Sequence, residues 1–154
     1  MAILQVILAA VGRLCLSLMF ILAALNKILD WQGAELNLTN ALNEWVHYTQ
    51  GIEWAQKIFD ELLPRVSLLL LVSCLMQLVG ALLLLFGHKL RFAALLLALV
   101  LAPYIVLFHH FWFLQDAERS VQTTMFLQNL SILGGLLLLL AYGGGGKGKK
   151  SEDA

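Results

Sequence analysis

The residues best suited to chemistry fall in one stretch, Leu107 to Leu140, LFHHFWFLQDAERSVQTTMFLQNLSILGGLLLLL. It gathers the imidazoles His109 and His110, aromatics that include Phe108, Phe111 and Trp112, the charges Asp116, Glu118 and Arg119, and amides that include Gln128 and Asn129. Donors and acceptors beside aromatic walls suit a quinone oxygen or a lipid headgroup. Bis-histidine haem ligation fails on geometry. His88 and His109 would lie on one helix roughly 31 Å apart. The consecutive pair His109 and His110 would point about 100° apart. Cys15 and Cys74 form no disulfide framework, CxxC or zinc spacing. Cys15 lies about 200° around its helix from Arg13, and apolar thiols are poor thiolates. The sequence therefore offers no metal site and no catalytic set.

Depth along the helices decides which polar groups can meet. Asn26 and Lys27 should lie roughly 3–5 Å inside the outer end of a first span. Gln128 and Asn129 should be about as deep in the last span, which descends from the same side. His109 and His110 end the third. Lys27, Asn26, His109, His110, Gln128 and Asn129 are thus expected to share one layer as a ligand-binding site. Polar residues in a membrane are costly, which makes them functional candidates. The plain alternative is that Lys27 snorkels and the amides join helices. A second expected pair is Arg13 with Gln77. It carries its own alternative, in which Arg13 snorkels inward and Lys27 outward. Gly80, Gly134 and Gly135 are expected at close helix contacts.

These residues must be positioned by helices in lipid. The chain has 154 residues, of which 60% are hydrophobic and 13% charged, with mean hydropathy +0.83. Soluble domains average roughly 45–50% apolar and about 25% charged. Zero net charge gives no field to draw nucleic acid. The fold class is all-α: a polytopic membrane protein with a four-transmembrane-helix bundle. Spans are expected at 3–29, 64–86, 91–108 and 125–142, in one membrane domain, 1–142. The start is read as a retained helix, because the residues before Arg13 are apolar and no basic residue opens the chain as in a signal peptide. Residues 31–63 carry Glu35, Glu44, Glu53, Asp60 and Glu61 against Lys57 alone, with apolar residues at helical spacing and a break at Gly51. They read as an extracytoplasmic amphipathic helical segment with its tryptophans at headgroup level. Thr39 and Asn40 are candidate N-caps, and Pro64 suits the first turn of the next helix. Pro103 should kink or loosen the third span. Basic residues at Lys89, Arg91 and in the tail place the short turn and both termini in the cytoplasm. Residues 143–154 read as a disordered tail.

The chain also resembles the DoxX-like family of small four-helix membrane proteins. The likeness lies in GRLCLSLMFILAALNKILDW, in QLVGALLLLFGHKLRFAALLLALVLAP, in LFHHFW and in FLQNLSILGGLLLL. Asn26 stands where that family often has glycine, and Gln77 where it often has an acid. The resemblance implies an accessory or quinone-binding subunit of a membrane redox complex, not catalytic alone. It also implies quinone as a possible cofactor, redox subunits as partners beside the lipid bilayer, and a bacterial inner membrane. The alternative is a non-redox lipid- or cargo-binding membrane scaffold.

Overall fold

The computed structural model describes residues 2–143, and among them every regular element is helical. In chain order these are α1 (Ala2–Leu29), α2 (Trp31–Tyr48), α3 (Glu53–Leu62), α4 (Val66–Leu85), α5 (Leu90–Phe108) and α6 (Asp116–Tyr142). Short 3-10 turns at Leu63–Arg65 and Phe111–Phe113 lead out of α3 and into α6. Four helices are long and apolar enough to cross a membrane. The expected all-α, four-span architecture is present. The tail expected to be disordered lies, beyond Gly143, outside the described residues.

Local chemistry sets the element ends. Asp30 caps α2, its Oδ1 accepting from Gly33 N at 3.0 Å. The Asp30 carboxylate occupies the space that a side chain at position 33 would need, so a larger residue there would displace the cap. The expected caps Thr39 and Asn40 are instead inside α2, where Thr39 Oγ1 donates to Glu35 O. Asp30 outcompetes them because its carboxylate reaches an unpaired first-turn amide. The break at Gly51 is present, with φ +89°, a conformation that side chains resist. The last helix begins at Asp116, well before the expected 125. Thr123 and Thr124 donate to Arg119 O and Ser120 O, so these hydroxyls stay satisfied within the helix.

Three seams hold the spans: α1 on α4, α4 on α5, and α5 on α6. The core runs along them as Phe20, Ala81, Leu84, Ala93, Ala94, Leu97, Ala98, Leu101, Ile105 and Leu136. Small residues dominate the α4–α5 seam, because between membrane helices close van der Waals packing replaces the hydrophobic effect. Gly80 is its tightest point. A Cβ there would lie 2.9 Å from Leu97 Cγ and 3.3 Å from Ala93 O. The close contacts expected at Gly134 and Gly135 are absent: a Cβ on either would have nothing within 4 Å. The reason is that α6 packs chiefly on α5 and on the Phe111–Phe113 turn, which leaves these half-buried glycines with open space beside them. The start of α1 is also uncovered, with Ile3, Leu4, Val6, Ile7, Leu8 and Val11 all exposed.

α2 and α3 form a layer over the end where α1 finishes and α4 starts. α2 packs on α1, α4 and α5. Ala41 and Leu42 bury its inner face, and Ala55 does so for α3. Gly80→Leu is expected to lower stability by roughly 1–3 kcal/mol through overpacking. Gly135→Leu should change it by no more than about 0.5 kcal/mol. Thermal unfolding of both variants in one detergent checks the pair.

Candidate functional site

The six polar residues expected to share one layer divide into separate networks. In the first, His109 is buried where α5 ends. Its Nε2 accepts from Asn129 Nδ2 at 3.3 Å, which leaves Nδ1 to donate to Gln122 Oε1 at 2.8 Å. Asn129 Nδ2 also donates to Met125 O at 2.9 Å. Gln122 and Asn129 are seven residues apart, two turns of α6, and so present one face. His109 is fully paired by its own bundle. The ring also meets Tyr104 edge-on, centroids 5.6 Å apart.

The second network centres on His110, buried but turned the other way, toward α2. Its Nδ1 lies 3.1 Å from Leu107 O, and its Nε2 3.1 Å from Glu44 Oε2. The contact with Glu44 is an ion pair when the ring carries both protons. Glu44 is 54% exposed, so water screens much of the attraction. Trp45 Nε1 donates to the same Leu107 carbonyl at 3.1 Å, filling an acceptor that the end of α5 leaves unpaired. Around this point the aromatics interlock. Tyr48 stacks on Phe113 with centroids 4.2 Å apart, Trp45 meets Phe113 edge-on at 5.7 Å, and Phe111 meets Phe126 at 5.1 Å. Such pairs add stabilisation beyond their burial. Trp45 is therefore turned inward as the pin that fastens α2, whereas Trp54 is 69% exposed and available to the headgroup layer.

The third network joins Lys27 to Gln77. Lys27 Nζ donates to Gln77 Oε1 at 3.0 Å and lies 5.7 Å from the Tyr104 ring centroid. The expected Arg13–Gln77 pair is thus replaced. Arg13 lies roughly 21 Å further along α1 than Lys27, and its guanidinium reaches Gly87 in the turn between α4 and α5. The expectation assumed that α1 and α4 end flush, whereas the start of α1 is uncovered. Asn26 and Gln128 are exposed and sit apart from these networks. Reading the sequence missed Gln122, Glu44, Trp45 and Tyr104. Only Gln122 carried a signal, its two-turn spacing from Asn129. Among the described residues no group of three His, Cys, Asp or Glu could hold a metal.

α2 also presents a polar row, which shares Glu44 and Tyr48 with the second network. Asn40, Asn43, Glu44, His47 and Tyr48 line an open cleft of about 410 Å³. A second cleft, about 360 Å³, lies where α2 meets the start of α4 and includes Glu35, Thr39, Pro64 and Ser67. Ser67 Oγ donates to Glu35 Oε1 there.

Fold and site together define a four-span helical membrane protein that carries a fastened, polar-faced helical layer over one end. The SURF4 family model matches residues 58–152, more than half of the chain, and the chain belongs to the SURF4 family. It is also 35% identical over 73 residues to the ER-derived vesicles protein ERV29 of Saccharomyces cerevisiae. That stretch is 47% of this chain and 24% of the yeast protein, so the chain spans about a quarter of the length of this relative. No solved structure matches the chain.

These matches correct the DoxX-like resemblance. The redox accessory or quinone-binding subunit falls with it, since that role came from the resemblance. Redox subunits as partners lose their support for the same reason. The bacterial inner membrane is overturned as well, because the matched relative is an ER-derived vesicles protein of a yeast. The likeness misled because leucine runs, a short basic turn and interfacial aromatics are what the bilayer asks of any small four-span protein.

The networks can be separated by substitution. Asn129→Leu strands His109 Nε2 and should cost about 1 kcal/mol. Trp45→Phe removes the indole donor to Leu107 O, which keeps its contact with His110 Nδ1, and should cost about 1 kcal/mol or less. Gln128→Leu, on the exposed face, should stay within about 0.5 kcal/mol of the parent. Unfolding midpoints of the three variants give the test.

Proposed function

We propose that this chain is a non-redox, cargo-binding membrane scaffold whose outer helical layer takes a soluble protein ligand. The observation that carries the reading is the division of labour on α2. Its inner face is fixed to the bundle by Trp45 and Tyr48, with Glu44 at the edge between the two faces, touching His110. Its outer row, Asn40, Asn43, Glu44 and His47, remains exposed along an open cleft. Asparagine amides both donate and accept, which suits a peptide backbone or polar side chains. Residues 30–63 hold six acids and one lysine, so the layer favours neutral or basic ligand segments over acidic ones. Membership in the SURF4 family and likeness to an ER-derived vesicles protein support a membrane of the endoplasmic reticulum or of vesicles derived from it.

The test places a photo-crosslinking residue at Asn43 or at His88 in the full chain, within cells. Asn43 should give adducts with soluble secretory proteins, and His88, at the opposite end of the bundle, should not. Glu44→Lys should reduce the Asn43 adducts by about five-fold or more, through charge reversal in the cleft. Equal adducts from both positions, or adducts indifferent to Glu44→Lys, would overturn the reading.

A further inference from the structure

The opposite end of the bundle holds a cation without a partner. Arg13 Nε is buried and is the only such side-chain atom, among the described residues, that lacks a hydrogen-bond partner. Its guanidinium fills the space that a side chain at Gly87 would take, and Gly87 has φ +70°, which glycine tolerates. An arginine this close to the α4–α5 turn carries donors that the protein leaves unused.

Among the described residues, the charged side chains near this turn are basic. His88 and Lys89 follow Gly87 and are exposed. Lys89 opens α5 in a left-handed conformation without a side-chain cap, so the first amides of α5 add a partial positive charge. Arg91 is engaged in donating to Gly143 O at 2.9 Å and Ala141 O at 3.2 Å. The acids of the described residues lie at residues 30–61 and at 116 and 118. Those positions belong to the other end.

From this geometry we infer a binding site for the phosphate of an anionic phospholipid, held by the Arg13 guanidinium and Lys89 at the α4–α5 turn. Lipid rather than free phosphate is the source because Arg13 is flanked by apolar surface. Val11, Leu14 and Leu18 are exposed on α1, and Phe86 and Phe92 beside the turn. Acyl chains cover such a surface, and a phosphate carried on them arrives at the guanidinium. Guanidinium recognises phosphate oxygens with two parallel hydrogen bonds, which would satisfy the donors that Gly87 cannot.

The experiment uses the full chain in mild detergent with phosphatidic acid and phosphatidylcholine of matched acyl chains, and counts retained lipid by native mass spectrometry. Phosphatidic acid should be preferred by roughly five-fold or more, the effect of one basic residue near an anionic headgroup. Arg13→Gln should bring the preference close to parity, Arg13→Lys should keep part of it, and Lys57→Gln at the other end should leave it unchanged. Inorganic phosphate at millimolar concentration should leave the lipid in place. No preference in the parent, or an undiminished one in Arg13→Gln, would overturn the site. Displacement by inorganic phosphate would overturn the lipid as its source. Should Arg13→Gln fail to fold, Lys89→Gln decides from its exposed turn position, where an unchanged preference counts against the proposal.

Discussion

Everything in this molecule depends on one constraint: inside hydrocarbon, a polar group must find its partner within the protein. Three serines deep in the spans return their hydroxyls to their own helix: Ser17 to Arg13 O, Ser73 to Leu70 O and Ser131 to Leu127 O. Lys27, too long for that solution, reaches the Gln77 amide across the α1–α4 seam. His109 is paired at both nitrogens by two side chains of one α6 face. Each of these pairings also selects a helix rotation. Lys27 turns α1 toward α4, and Asn129 with Gln122 turns α6 toward the end of α5. The polar residues therefore orient helices whose apolar surfaces, similar all round, would specify little.

Distance is set by a different group of residues. Gly80, Ala81, Ala93, Ala94 and Ala98 let α4 and α5 approach closely, with Leu97 filling what the glycine leaves. This tight central seam is the frame against which α1 and α6 are laid, one on each side. Phe20 of α1 and Leu136 of α6 enter the same core cluster, so the outer helices also share a common interior. The outward faces can then stay leucine-rich, since lipid is their solvent.

How much of this was legible in the sequence follows from the range of each interaction. The spans at 3–29, 64–86 and 91–108 match α1, α4 and α5 to within two residues, because apolar length and turn residues are local properties. The start of α6 is not legible, because Thr123 and Thr124 satisfy their hydroxyls locally and so let a polar stretch continue the helix. The site was legible in type and not in pairing. Lys27, Gln77, His109 and Asn129 are all engaged in interhelical bonds, yet Lys27 took Gln77 from Arg13 because the helix ends are not flush. His109 and His110, adjacent in sequence, belong to different networks because α5 ends between them. Glu44 and Trp45 could not be found from sequence, since their partners lie more than sixty residues away and across a layer whose docking is tertiary.

That docking separates charge along the molecule. The chain is neutral overall, but the layer of α2 and α3 collects acids while the α4–α5 turn collects bases. Neutrality removes any long-range field, so each end acts only within about a Debye length of itself, roughly 8 Å at physiological salt. An acidic face that works at contact range suits recognition of a polypeptide already beside the membrane. A basic turn that works at contact range suits headgroups already within the leaflet. The same segregation explains why His110 faces Glu44 and why, among the described residues, Arg13 faces no acid. The layer brings a carboxylate to the end of α5, and the turn keeps Arg13 beside Gly87.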